Sequence, residues 1–140
     1  MTEPGEGSVL RLILPGNPLS QNRAYHIVVI SPRGRKAHAT LALTPEGEAY
    51  KTRIFARALE ARPRGWAIGG VYDLECVYYF DSRRPDSDGP GKLTRDALEG
   101  ALYENDRQVR DFVQRKRLDR EHPRLDITLR LVSPAQGELL

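Results

Sequence analysis

The sequence predicts an α+β fold, a two-layer sandwich in which a small mixed sheet packs against two helices. Two segments, 71–80 and 125–131, alternate apolar and polar residues with the period of a strand that is buried on one face. Two other segments, starting near Thr44 and Lys92, carry apolar residues at helical spacing. Two helices are too few to cover both faces of a sheet, so we expect them to cover one face.

The N-terminal half reads as a strand, a hairpin and a helix. Residues 9–14 form a short apolar run that ends at Pro15, and a loop rich in turn-forming residues follows. Residues 25–31 and 37–43 flank the basic tip SPRGRK, which predicts a hairpin. Thr44 and Pro45 are a typical helix start, and Pro63 should end that helix near Arg62. The apolar stripe of this helix comprises Tyr50, Ile54, Phe55, Ala58 and Leu59.

The C-terminal half predicts a strand, a helix and two further strands. One face of strand 71–80 is apolar, and we expect Cys76 there to be a small core residue rather than a nucleophile. Residues 92–103 predict a second helix that Asn105 closes. Residues 108–117 have a weaker strand pattern. The buried face predicted for the second helix consists of Leu93, Ala97, Leu98, Ala101 and Leu102.

Length and composition predict one domain over residues 1–140, with frayed tails at 1–8 and 133–140. Hydrophobic residues make up 39% and charged residues 29% of the chain, as in globular proteins. No run approaches the roughly 20 apolar residues of a membrane span, and the first residues lack the features of a signal peptide. We therefore expect a cytoplasmic protein without membrane partners. A single cysteine excludes an internal disulfide framework.

Basic residues are concentrated in three places, although the net charge is only +3. Arginine outnumbers lysine, and its guanidinium suits bidentate contacts with phosphate. The pattern fits either solvated loops or a phosphate-binding surface. The three clusters are Arg33, Arg35 and Lys36; Arg83 and Arg84; and Arg115, Lys116, Arg117 and Arg120.

The segment FDSRRPDSDGPGK, residues 80–92, carries the chemistry most open to interpretation. Asp86 and Asp88 leave the end of a strand, where they could ligate Mg²⁺ together with a substrate phosphate. Lys92 lies one helical turn beyond Asp88 and could stabilise negative charge on a phosphate. Alternatively, the aspartates cap the second helix and Lys92 pairs with Asp96.

Other metal- and nucleotide-binding motifs do not fit the sequence. An EF-hand is excluded, because two positions that must be acidic are Pro90 and Ala97 here. The three histidines form no zinc pattern, and no phosphate loop indicates a nucleotide cofactor.

The ordered set of motifs resembles the RusA family of Holliday junction resolvases. The stretch DSRRPDSDGPGKLTRDALEGALYENDRQVRD has basic residues, D-x-D, a lysine four residues on, D-A-L and an acidic turn before Q-V. The N-terminal segments LPGNPLSQNRAY and LTPEGEAYKTRI are similar to the opening of that family. The resemblance extends from about residue 10 to residue 131.

The resemblance implies a homodimeric, Mg²⁺-dependent endonuclease that cuts four-way DNA junctions by paired symmetric hydrolysis. Mn²⁺ can be expected to substitute for Mg²⁺. The family's catalytic, metal-binding aspartates match Asp86, Asp88 and Asp106, and its lysine matches Lys92. Candidate DNA contacts are Arg83, Arg84, Arg33, Arg35, Lys36, Asn22 and Arg23.

The chain also departs from the family pattern. Gly89-Pro90-Gly91 replaces the asparagine and helical residues after the second aspartate, and the proline should delay the helix start to about Gly91. A helix over residues 92–103 would be roughly 16–18 Å long. Asp106 would then begin at its far end, so either the chain doubles back or Asp106 serves a partner subunit. A catalytically silent DNA-binding protein and a nuclease for flaps or forks remain alternatives.

Overall fold

A computed structural model describes residues 7–83 and 88–134, and it has the predicted α+β architecture. A four-stranded sheet packs against helices on one face, and a separate two-stranded sheet lies beside it. The elements in chain order are β1 (Val9–Pro15), α1 (Gln21–Ala24), β2 (Tyr25–Ile30), β3 (His38–Leu43), α2 (Pro45–Ala61), β4 (Val71–Phe80), α3 (Gly91–Ala97), a 3₁₀ turn (Asp106–Gln108), β5 (Val109–Leu118) and β6 (Arg124–Ser133).

The main sheet is mixed, as predicted. Its strand order is β1-β6-β4-β5, so the last strand in the chain lies between β1 and β4 and runs antiparallel to both. The β4 and β5 strands are parallel, because the connection through α3 crosses from one end of the sheet to the other. This crossover brings the end of β4, the start of α3 and the edge strand β5 together.

The core lies between the sheet and the helices. The apolar face of β4 is almost completely buried, and Cys76 lies in its middle. Burial raises the pKa of the Cys76 thiol well above its usual value, so the thiol stays neutral. The prediction that Cys76 is a core residue is therefore confirmed.

Helix α2 begins as the sequence predicts. Thr44 caps it, since the Thr44 hydroxyl accepts a hydrogen bond from the amide of Gly47, and the helix ends at Ala61 before Arg62. Tyr50, Ile54 and Ala58 are buried. The predicted stripe was too wide, because Leu59 is 41% exposed.

A short helix, α1, occupies part of the segment that was predicted to be a loop. Ser20 caps it by accepting a hydrogen bond from the amide of Arg23. Four residues carry too little periodicity to predict a helix from sequence. The placement matters for function, since the amide of Gln21 at its start reaches the segment that follows β4.

Helix α3 starts at Gly91, as the proline predicted, but it ends at Ala97 rather than at Tyr103. Leu98, Ala101 and Leu102 are nevertheless buried. The chain turns at Gly100, whose φ of +83° suits glycine, and the Gly100 amide bonds to the carbonyl of Tyr103. The helix prediction was wrong here because a tight turn buried the same apolar residues. Asn105 does not close α3; it caps the 3₁₀ turn instead.

The hairpin of β2 and β3 extends from the body with a basic tip, as predicted. It is anchored at its base, where the Thr44 amide donates to the carbonyl of Ala24. Further out, Ile27 pairs with Leu41 across the two strands, and both side chains are strongly exposed. Among the described helices, none has the length and apolar character needed to cross a membrane.

Candidate functional site

A cleft of about 600 Å³ lies where the end of β4, the start of α3 and β5 meet. One acidic side chain, that of Asp88, lines it together with several basic side chains, so its charge suits a phosphate-bearing substrate. Its lining includes Gln21, Tyr78, Asp88, Lys92, Arg95, Gln114 and Lys116.

Asp88 is held at this cleft by its backbone. The Asp88 carbonyl accepts a hydrogen bond of 2.7 Å from the amide of Gln21 at the start of α1. Its carboxylate, with a side chain that is 77% exposed, lies 3.4 Å from the ammonium of Lys116 on β5. The position of the Asp88 backbone therefore depends on α1. The negative charge of its carboxylate is offset by the ammonium of Lys116, which is distant in sequence.

The two glycines of the Gly-Pro-Gly segment let the backbone pass close to the sheet. A Cβ on Gly89 would lie 2.2 Å from the ring of Tyr78, which is fixed in the core. A Cβ on Gly91 would lie 2.4 Å from the flexible amide of Gln114. Both glycines thus have a packing reason, and Gly89 is the stricter requirement.

The start of α3 is fixed to β4 by a buried polar contact. The Thr94 hydroxyl lies 2.7 Å from the hydroxyl of Tyr78 and 2.9 Å from the carbonyl of Pro90. Burial raises the pKa of Tyr78, so its hydroxyl stays neutral and can donate or accept a hydrogen bond. This contact holds the first turn of α3, which also carries Lys92, against β4.

Lys92 forms the ion pair considered as the alternative from sequence. Its ammonium lies 2.9 Å from the carboxylate of Asp96, one turn along α3. The hydrogen bond and the charge of Asp96, with a smaller contribution from Asp106, raise the pKa of Lys92, so the lysine remains charged. The pairing does not remove Lys92 from the cleft, which it lines.

Asp106 lies in an acidic group with Asp96 and Glu99. Carboxylate oxygens from the three residues all lie within 4.8 Å of one another, and all three side chains are half-buried. The Asp106 amide donates to Glu99, which orients the turn. The chain therefore doubles back, and Asp106 returns to α3 of its own subunit. Asp88 does not belong to this group.

A buried glutamine supports the turn that carries Asp106. Gln108 accepts hydrogen bonds from the amides of Glu104 and Asn105, and it donates to the carbonyls of Ile68 and Gly70. Its side chain has no exposed surface. Four bonds to backbone fix the 3₁₀ turn relative to the loop before β4.

Of the predicted DNA contacts within residues 7–83 and 88–134, none lines the cleft; they lie after β4, on α1 and in the hairpin loop. Arg83 is exposed at the end of β4, while Arg84 and Asp86 lie outside the described residues. Asn22 and Arg23 are exposed on α1, and Arg23 pairs with Glu46 at 2.5 Å. The hairpin loop carries exposed Arg33, Arg35 and Lys36.

Sequence reasoning missed several side chains of the cleft and one member of the acidic group. Arg95 lies over the ring of Phe112 at 4.9 Å, and Lys116 approaches Asp88. Glu99 was overlooked although it follows Asp96 at helical spacing. Lys116 had a weak signal as part of a basic cluster, but its contact with Asp88 depends on the parallel pairing of β4 and β5, which local patterns do not reveal.

The fold and the cleft define a small α+β protein whose acidic groups suit a hard cation and whose basic groups suit phosphates. A family model described as endodeoxyribonuclease RusA matches residues 15–130, and the chain belongs to this family. The protein is therefore a DNA-cleaving hydrolase, and family membership implies an endonuclease that resolves Holliday junctions. No curated protein matches the chain.

Proposed function

We propose that the protein resolves four-way DNA junctions by Mg²⁺-dependent, paired symmetric cuts in the DNA backbone. The observation that carries this proposal is the cleft, in which Asp88 faces lysines from two different elements. We also propose, as the sequence predicts, that the protein is cytoplasmic and that residues 1–140 form a single domain.

The carboxylates present fit a hard divalent cation. Asp96, Glu99 and Asp106 offer oxygen ligands within 4.8 Å of one another, and Mg²⁺ prefers oxygen ligands. Asp88 and Asp86 would be the ligands from the segment after β4. When bound, Mg²⁺ would supply a more acidic water and offset charge on the phosphate. We propose that Mn²⁺ substitutes for it, because it takes similar ligands.

The chain's own side chains would hold the substrate. Lys92 remains charged beside Asp96 and faces the cleft, where it can stabilise negative charge on the phosphate. Arg83, Arg84, Asn22 and Arg23 would contact phosphates near the cut. The hairpin tip with Arg33, Arg35 and Lys36 would contact phosphates farther away. Such contacts read the shape of the junction rather than its sequence.

We propose that the protein acts as a homodimer and that the apolar face of the hairpin is the contact between subunits. The side chains of Ile27, Val29 and Leu41 are 71%, 68% and 61% exposed, and the strand register places them on one face. An isolated two-stranded hairpin is marginally stable in water, and a second copy would cover this face. A two-fold dimer would also present two equivalent sites to a junction.

The dimer can be tested by light scattering after size-exclusion chromatography. Ile27→Glu should convert a dimer into a monomer, whereas Ile13→Glu, on the main sheet, should leave the dimer intact. A monomeric wild type would show that this part of the proposal is wrong.

Cleavage of a mobile four-way junction tests the activity. The wild type with Mg²⁺ should make paired symmetric cuts and leave linear duplex intact. Asp88→Asn should lose cutting by at least about 100-fold, as expected for a group that supports charge stabilisation in the transition state. Asp111→Asn, an exposed aspartate on β5, is the matched control and should cut normally.

Other outcomes would identify the alternatives. Tight junction binding without cutting, even with Mn²⁺, would indicate a silent binding protein. Cutting confined to flaps or forks would indicate a different branched substrate. Equal cutting by Asp88→Asn and wild type would contradict the assigned role of Asp88.

A further inference from the structure

Lys116 is placed at the cleft by the pairing of β4 with β5. Lys116 lies opposite Tyr78 in the parallel register, two residues beyond Gln114, which lies opposite Cys76. Since side chains alternate along a strand, Lys116 and Gln114 point to the same face of the sheet as Tyr78. That is the face on which Gly89 rests and from which Asp88 extends.

The contact between Lys116 and Asp88 is loose. Their closest atoms, Nζ and Oδ1, are 3.4 Å apart, longer than the 2.7–2.9 Å typical of charge-assisted hydrogen bonds. The side chains are 45% and 77% exposed. Exposed ion pairs of this kind add little to stability, so the fold does not depend on this pair.

Lys92 is engaged more closely. Its bond to Asp96 is 2.9 Å long, and both residues belong to the same helix. Lys92 therefore offsets the acidic group of Asp96, Glu99 and Asp106. Of the other basic residues that line the cleft, Arg95 lies over the ring of Phe112 and Arg115 pairs with Glu75. Lys116 is the one that contacts Asp88, and its ammonium sits on a flexible four-carbon stem.

We propose that Lys116 is a phosphate-contacting residue that pairs with Asp88 only in the absence of a bound cation. Asp88 would hold a divalent cation, and the Lys116 ammonium would then leave the carboxylate because like charges at this short distance repel each other. The ammonium would be free to contact a phosphate of the DNA in the cleft. This inference rests on the proposed function, since it assigns a group to the substrate side of the same site.

The first measurement requires no DNA. Isothermal titration calorimetry with Mn²⁺ measures the metal affinity of the metal-free wild type, Lys116→Gln and Lys116→Arg. Lys116→Gln should bind Mn²⁺ about fivefold more tightly, the order expected when one like charge is removed from an exposed site. Lys116→Arg should resemble the wild type.

The second measurement is the salt dependence of DNA binding in Ca²⁺, with cleavage monitored on denaturing gels. For Lys116→Gln, the slope of log K against log salt should decrease by about 0.9, the value for one lost phosphate contact. Lys116→Arg should keep the slope. Arg11→Gln, which removes an exposed positive charge from β1, should also keep it.

The outcomes separate this inference from the proposed function. If Lys116→Gln matches the wild type in Mn²⁺ affinity and in salt slope, the inference is wrong, even when junctions are cut normally. If the wild type binds DNA and never cuts, the proposed function is wrong, while both measurements on Lys116 still decide the inference. A wild type that binds no DNA would overturn both.

Discussion

Asp88 and Asp106 flank helix α3 in sequence, but the structure holds them in different ways. Asp106 is half-buried in a turn that is capped by Asn105 and braced by four hydrogen bonds of Gln108. Asp88 has an exposed carboxylate, one backbone hydrogen bond and one long ion pair. One carboxylate is preorganised by the fold, whereas the other is free to adjust to a cation or a substrate. A motif that treats the two as equivalent does not reveal this difference.

The largest expected effect comes from removing the preorganised charge. Asp106→Asn should slow junction cleavage by about 1,000-fold, the upper order for one group acting on transition-state charge. The variant should melt at the same temperature as the wild type or higher, because one of three clustered like charges is gone. Cleavage rates and melting curves check this, with Asp111→Asn as control. A lower melting temperature would mean that the cluster is structural.

Removing the brace should cost stability. Gln108→Leu leaves two amides and two carbonyls without their buried partner, which we expect to lower the free energy of unfolding by about 3 kcal/mol. Urea unfolding measures this loss. Gln114→Leu, at an exposed amide, should change it by less than about 0.5 kcal/mol. Similar effects of both substitutions would contradict the bracing role.

The position of Asp88 can be changed by a substitution at the next residue, Gly89, which packs against Tyr78. Gly89→Ala forces the chain away from Tyr78 and displaces Asp88. A 1 Å misplacement of a reacting group can slow catalysis by about 100-fold, and we expect a smaller loss here, of about 30-fold in the cleavage rate. A Cβ on Gly69 meets nothing within 4 Å, so Gly69→Ala should cut normally. Single-turnover rates test the pair, and normal cutting by Gly89→Ala would show that Asp88 tolerates displacement.

The smallest effect concerns a braced carboxylate away from the cleft. Asp119 accepts hydrogen bonds from the amides of His122 and Glu121 and pairs with Arg124, and these contacts lower its pKa from 3.8. A lowered pKa contributes stability above pH 3.8 that is lost as the pH falls further. The stability advantage of wild type over Asp119→Asn should therefore be present at pH 7 and shrink below pH 3.8. Chemical unfolding of both proteins at pH 7 and at a pH below 3.8 measures this advantage. An advantage that is the same at the two pH values would show that Asp119 does not link stability to pH.

The periodic elements could be predicted from sequence, because burial on one face imposes a regular pattern. The alternation in β4 and β6 and the cap of α2 at Thr44 are local properties of the chain. The end of α3 was not predictable in this way. Leu98, Ala101 and Leu102 satisfy helical spacing, yet they are buried by a turn around Gly100.

The candidate site was predicted in part, through motif order. The resemblance pointed to Asp88, Lys92 and Asp106, but it could not rank how firmly each is held. The contact of Lys116 with Asp88 joins residues 28 positions apart in sequence. Such contacts follow from strand pairing, and periodicity within one segment contains no information about the partner strand.

The place of β6 in the sheet also affects how the protein emerges from the ribosome. Residues 124–133 form the strand between β1 and β4, so the sheet lacks this middle strand until residue 133 has been synthesised. Until then β1 has no neighbour in the main sheet, and β4 lacks its antiparallel partner. A nascent chain that ends before residue 124 would therefore carry the acidic motif without the strand that pairs with β4 in the middle of the sheet.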